Sequence, residues 1–178
     1  MRVIGGRSRG RRLAAKLPRS VRPTSDRVRE SIFNILGSLG GVDGLSVVDL
    51  FCGSGALGVE ALSRGAASAT FVDLDPDALA AVRQNLAAVG LAEEPVSLVR
   101  AVLPGWLQAP DVGAFDVALC DPPYDFGEWP ALLDALRADV AVFESSAPIP
   151  LPETWVVKRE RLYGGTLITV AHGSGTRT

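Results

Sequence analysis

This 178-residue chain contains two cysteines, one histidine and no apolar run near the ~20 residues needed to span a bilayer. Each scarcity removes a class of protein. Cys52 and Cys120 fall at the ends of predicted core strands and lack any metal-ligand spacing, so they read as reduced, buried thiols rather than a disulfide framework. The lone His172, near the end of a predicted hairpin, reads as structural or exposed rather than catalytic. The Arg-rich N-terminus has no apolar segment of the signal-peptide kind, so the expectation is a cytoplasmic protein. Internal repeats and low-complexity stretches are absent.

What is present suits one main globular domain. Hydrophobic residues make up 47% and charged residues 21%, a mixture that buries a core instead of remaining disordered. The net charge of −2 hides a division: residues 1–30 carry ten Lys/Arg against Asp26 and Glu30, a local +8, while the remaining 148 residues carry −10. A basic arm on an acidic body points to a polyanionic partner, most simply nucleic acid, with a solvated tail as the alternative. Arg7, Arg9, Arg11, Arg12 and Arg22 lie in this arm with Gly5-Gly6 and Gly10, which permit a small hairpin; Arg27 follows in the next helix. The expected division is an arm over 1–22, a main domain over 23–172 and a tail over 173–178.

Along the body, strand and helix signals alternate. Thr24-Ser25-Asp26 caps a helix whose apolar face is Val28, Ile32, Ile35, Leu36 and Leu39, leaving Arg27, Arg29, Glu30 and Asn34 on a solvated face. Leu45–Phe51 reads as a buried strand, Cys52–Gly58 as a tight glycine loop, and Val59–Arg64 as a helix. A second strand ends at Asp73, and Asp75-Pro76 opens a helix through Val89 with Leu79, Val82 and Leu86 inward. Val96–Val99, Phe115–Cys120 and Val140–Phe143 supply further strands, and the segments around Tyr163-Gly164-Gly165 a terminal β-hairpin. The order predicts an α/β, doubly wound, mostly parallel sheet with its ligands at the strands' C-terminal ends.

Three features converge on that edge. Gly53–Gly58 satisfies G-x-G-x-x-G, a pattern equally at home in dinucleotide enzymes, but the acid Asp49 just ahead of it suits an amine-bearing ligand better than a pyrophosphate. Asp73 lies near the offset of about 20 residues at which an acid holds ribose hydroxyls. Asp121-Pro122-Pro123-Tyr124 ends the fourth strand with a stiff loop presenting a carboxylate, a carbonyl and an aromatic face, a set able to hold a planar amine.

Asp49-Leu-Phe-Cys-Gly-Ser-Gly-Ala-Leu-Gly58 with Asp121-Pro-Pro-Tyr124 resembles class I S-adenosylmethionine-dependent methyltransferases that act on exocyclic amines. Gly5-Gly6-x-x-x-Gly10-Arg11 and Arg22-Pro-Thr-Ser-Asp-Arg-Val-Arg-Glu-Ser-Ile-Phe-Asn-Ile-Leu36 are similar to the RsmD family, which methylates the N2 amine of one guanine in bacterial 16S ribosomal RNA. The resemblance implies a seven-stranded Rossmann-like methyltransferase sheet with a terminal antiparallel hairpin, and S-adenosylmethionine without a metal. It implies cofactor contacts from Asp49, Phe51, Gly53, Gly55, Asp73, Leu74 and Val102, although the family often has Asp or Asn where Val102 aligns. Asp121, Pro122, Pro123 and Tyr124 would then be catalytic, Arg7, Arg9, Arg11, Arg12, Arg22 and Arg27 RNA-binding, and the substrate 16S ribosomal RNA in a small-subunit particle, met by a monomer. The rivals are a DNA adenine-N6 methyltransferase, a non-catalytic RNA-binding assembly factor and, last, a dinucleotide oxidoreductase.

Overall fold

The first helix, α1 (Asp26–Ser38), starts where the hydroxyl signal placed it: the Val28 N–H donates to the Ser25 side chain, and Asp26 occupies the first turn, where the helix dipole favours an acid. The computed structural model describes residues 1–14 and 25–173, so the expectation for Arg22 lies outside the described residues. From α1 the chain runs through β1 (Ser46–Leu50), α2 (Ala56–Ser63), β2 (Ser68–Asp73), α3 (Pro76–Ala88) and β3 (Val96–Arg100). A 3-10 turn (Gly105–Gln108), β4 (Phe115–Cys120), α4 (Trp129–Ala135), β5 (Ala138–Ser145), β6 (Trp155–Tyr163) and β7 (Thr166–Gly173) complete it. Asp75 caps α3 by accepting from the Asp77 N–H at 2.9 Å, with Pro76 at the first helical position.

Among the described residues the strands form one seven-stranded sheet in the order β3-β2-β1-β4-β5-β7-β6. The first five are parallel, whereas β7 runs antiparallel to β5 and β6 to β7. Strand order reverses between β1 and β4, and such a reversal opens a crevice at the C-terminal edge. Residues alternate across the pleat. Val47, Phe71, Val117 and Ile168 meet α1, α2 and α3, while Val48, Leu50, Val72 and Phe143 meet α4 and the 3-10 turn. Fully burying a side chain of this size stabilises by roughly 1.5–3 kcal/mol, so both layers are needed. The hairpin is longer than the sequence signal, because β6 is an edge strand whose outward residues are charged and carry no apolar alternation.

The solvated-face expectation for α1 fails at Arg29, which is wholly buried. Its Nη2 donates to the Arg2 carbonyl at 2.7 Å and to Asp26 at 2.8 Å, because the N-terminal segment lies over that side of the helix. Phe33 is buried there too, under the Arg64 guanidinium, whereas Leu39 is the exposed C-cap. Residues 1–14 are thus fastened to the body. Glu60, with no exposed surface in the middle of α2, accepts from the Ile4 N–H at 2.8 Å, the Gly5 N–H at 2.7 Å and Arg64 Nε at 2.7 Å. Gly6 packs so closely that a Cβ would stand 1.8 Å from the Ser63 carbonyl oxygen. Glu60→Ala strands two backbone donors, each costing about 1–3 kcal/mol when left unsatisfied. Hydrogen exchange should therefore show the Ile4 and Gly5 amides losing protection while the β1 and β4 amides keep theirs; retained protection would disprove the anchoring role.

Candidate active site

β1, β2 and β4 end together. Leu50 pairs with Val72 on one side and Cys120 on the other, so Phe51, Asp73 and Asp121 stand side by side where the three strands stop. The chain leaves β1 through Phe51 at φ 58°, a strained conformation for an aromatic residue, and turns through Gly53 at φ 51° and Gly55 at φ 72°. The Gly55 N–H closes this turn on the Cys52 carbonyl at 2.7 Å, and α2 begins immediately after it.

Asp49 points to the α2 side of the sheet, like Val47, and is 1% exposed. Its Oδ2 accepts from the Gly58 N–H at 2.8 Å. Burial raises its pKa well above the ordinary carboxylate range; the Gly58 hydrogen bond opposes that shift, and the negative charges of Asp121 and Asp73 add to it. Asp73 organises the loop itself: Oδ2 accepts from the Gly53 N–H at 2.8 Å and Oδ1 from the Asp75 N–H at 3.0 Å. Each oxygen retains a second lone pair for a ligand hydroxyl. Leu74 and Val102, 57% and 63% exposed, follow the paired residues Asp73 and Arg100, forming apolar rims at the ends of β2 and β3.

On the other side of β1, Pro122 is buried while Pro123 and Tyr124 are exposed, Tyr124 by 60%. The Phe126 N–H donates to the Pro123 carbonyl at 2.9 Å, closing the turn. Phe126 also meets Phe51 edge-on at 5.1 Å and Trp129 at 5.3 Å, so an aromatic contact joins the two loops. Cys52 and Cys120 are free and buried beside this edge, with burial pushing both thiols far above their usual range. Among the described residues no cluster of His, Cys, Asp and Glu is suited to hold a metal ion, and no helix is long and apolar enough to cross a membrane.

The family model described as Conserved hypothetical protein 95 matches residues 1–172. The chain belongs to that family. This is the RsmD family that the motifs resemble. Ribosomal RNA small subunit methyltransferase D of Escherichia coli strain K12 is 33% identical, over 92% of this chain and 85% of its own. The Haemophilus influenzae protein of the same name is 31% identical over 92% and 89%. Among solved structures, yhhF of Escherichia coli, provisionally named a methyltransferase, superposes with a TM-score of 0.84 at 32% identity, covering 99% of both chains.

Within this family fold the nominated residues divide between two edges of the sheet. Asp49, Phe51, Gly53, Gly55, Asp73, Leu74 and Val102 gather with Asp121–Tyr124 at the C-terminal edge. Arg7, Arg9, Arg11 and Arg12 do not join them. Helix α2 leads away from the site to the start of β2, and its far end holds the N-terminal segment. There Arg7 pairs with Glu94 at 2.7 Å and Arg11 donates to the Val89 carbonyl at 2.9 Å, while Arg9 and Arg12 are exposed. Arg27 is exposed on α1.

Two supports escaped the sequence reading. Asn85, wholly buried in α3, donates from Nδ2 to the Ser54 carbonyl at 2.8 Å and so holds the glycine loop. Phe126 braces the opposite loop. A polar residue amid the inward positions of α3, and a second aromatic two places after Tyr124, were the available signals. Gly58 proves to serve packing rather than ligand approach, since a Cβ there would stand 2.3 Å from the Phe71 ring and 3.1 Å from Asp49.

Proposed function

We propose that the protein transfers a methyl group from S-adenosylmethionine to the N2 amine of a guanine in 16S ribosomal RNA, acting as a cytoplasmic monomer on a small-subunit particle. The observation that carries this reading is the placement of Asp121 and the exposed Tyr124, on a proline-stiffened turn, one strand away from Asp49 and the glycine loop. The names of the two curated relatives supply ribosomal RNA of the small subunit as the substrate.

The donor set fits the cofactor. Asp49 and Asp73 have no ion-pair partner among the described residues, and the charges of Asp73 and Asp121 both act on Asp49, so the crevice favours a cation. Asp49 would face the ammonium of the methionine part beside Gly53, Gly55 and Phe51. Asp73 would take the ribose, and Leu74 and Val102 the adenine faces. When bound, S-adenosylmethionine supplies a methyl carbon made electrophilic by its own sulfonium. The protein's task is alignment and charge stabilisation. Asp121 and the Pro122 carbonyl accept the two hydrogens of the guanine amine, turn its lone pair toward the methyl, and offset the positive charge developing on nitrogen. Asp121 takes a proton as the bond forms, since the neutral amine is too weak an acid to lose it beforehand. Tyr124 stacks on the extruded base, a contact worth ~1–3 kcal/mol, comparable to the cost of unstacking. Arg9 and Arg12 reach RNA phosphates from the far edge.

Tritiated cofactor offered to 16S RNA, assembled small subunits and duplex DNA tests the reading, followed by digestion to nucleosides. N2-methylguanosine from RNA or particle is the expected product. Label in adenine, or in DNA alone, would refute it.

A further inference from the structure

We propose that the groove between α1 and the β6–β7 hairpin is a second RNA-binding surface that grips the sugar–phosphate backbone flanking the target base. This rests on the RNA reading above and extends it to residues outside the crevice. Ser145 at the end of β5 pairs with Leu167, so the hairpin tip stands at the same sheet edge as Asp121. There Tyr163 Oη is hydrogen-bonded to Ser31 Oγ, which fastens the tip to the helix. Two cavities of about 490 and 300 Å³ flank this bond and share Leu162 and Tyr163.

The walls of the groove suit a phosphate backbone. On the helix, Arg27, Ser31, Asn34 and Ser38 recur at spacings of four, three and four, which places them on one stripe. On the hairpin, Arg161 lies opposite Ile168 and Arg159 opposite Val170. Ile168 and Val170 belong to the core layer that contains α1, so both arginines and Tyr163 project toward the helix. Among the described residues the lining includes two guanidiniums, an amide and hydroxyls, and no carboxylate. Asp26 pairs with Arg29, Glu30 does not line the groove, and Glu160 accepts from Thr169 Oγ1 on the opposite face of the hairpin; Glu144, level with Ile168 on the α1 face, is buried and does not line the groove either.

Residues 31–178 carry a net negative charge, so a basic groove at this edge departs from its surroundings. Guanidiniums bind phosphate oxygens bidentately, and an exposed Asn amide can read a ribose 2′-hydroxyl as donor and acceptor. Leu162, 67% exposed at the tip, offers an apolar contact to a sugar or base. Arg7 and Arg11, by contrast, are engaged with Glu94 and the Val89 carbonyl at the opposite edge.

The test uses the full chain and an Arg27→Gln/Arg161→Gln double variant, with Asn34→Ala beside it. Binding of a 16S RNA transcript and of assembled small subunits is measured across a salt series. Losing two phosphate contacts should make the log–log salt slope shallower by about 1.4, at roughly 0.7 per contact on single-stranded RNA. KM for RNA should rise about tenfold, which is about 1.4 kcal/mol, with the affinity for S-adenosylhomocysteine unchanged. If the wild type methylates RNA while the variant's slope and KM stay at wild-type values, the groove proposal is wrong and the proposed function stands. Weakening confined to assembled subunits, with the naked transcript unaffected, would replace RNA by a protein neighbour and also overturn it. A wild type that methylates no RNA removes the function and the groove together.

Discussion

Asp121→Ala should lower methyl-transfer turnover by about 10²–10³-fold, the loss typical when one preorganised group facing a developing charge is removed, or roughly 2.7–4 kcal/mol of barrier. Asp121 follows Cys120 at the end of β4, with its N–H directed to the Leu50 carbonyl at 3.5 Å, and the loop behind it is held by buried Pro122 and the Phe126 turn. Removal of the carboxylate leaves those supports in place. It also relieves the repulsion that Asp121 exerts on buried Asp49. Titration with S-adenosylhomocysteine should show the crevice still binding. Asp121→Asn retains an acceptor but no charge, and its turnover should lie between wild type and Ala. Equal turnover in all three proteins would take Asp121 out of the mechanism; loss of nucleoside binding together with turnover would assign it a structural role.

The elements that place this site were legible because local chemistry determines them. Ser25, Asp75-Pro76, the glycine turn after β1 and the paired prolines after β4 each fix the backbone within a few residues, whatever lies across the sheet. The alternation of strands and helices then allowed few sheet topologies, and a parallel sheet brings the ends of β1, β2 and β4 together. Asp49, Asp73 and Asp121 could thus be assigned to one edge before any contact was seen. The finding sharpens one of them: Asp73 holds the Gly53 and Asp75 N–H groups, so it shapes the loop as well as facing the crevice.

What stayed hidden depends on partners far apart in the chain. Arg29 carries the pattern of a solvated helix charge, and only the Arg2 carbonyl, 27 residues away, makes it a buried one. Glu60 receives the amides of Ile4 and Gly5 from 56 and 55 positions away. Arg7, Arg9, Arg11 and Arg12 carry the charge of a nucleic-acid arm, but their placement at the far end of α2 follows from packing at Gly6 and Ser63, which no local signal encodes. The Ser31–Tyr163 contact spans 132 positions, and with it the groove at the hairpin tip.

Asp49→Asn should raise the thermal stability of the ligand-free protein and abolish its stabilisation by S-adenosylmethionine. In the unfolded chain Asp49 titrates near the ordinary value of about 3.9. Burial raises the folded value, with repulsion from Asp121 and Asp73 adding to it, so the native state binds the proton more tightly than the unfolded state. Between the two values the native protein holds more protons, and stability therefore falls as pH rises above ~4 until the folded value is passed. An amide never acquires that charge, yet its oxygen still accepts from the Gly58 N–H. The Tm advantage of the variant should thus be near zero at about pH 4, grow with pH and then level off. Saturating cofactor should reverse the order. A ligand at about 100 times its Kd adds roughly 2.7 kcal/mol to the native state, equivalent to about 5–11 °C for a chain of this size. That gain belongs to the wild type, whose carboxylate meets the ligand's positive charge. If the variant were less stable at every pH, or gained as much from the cofactor as the wild type, Asp49 would be a structural hydrogen-bond acceptor and not the cofactor's counter-charge.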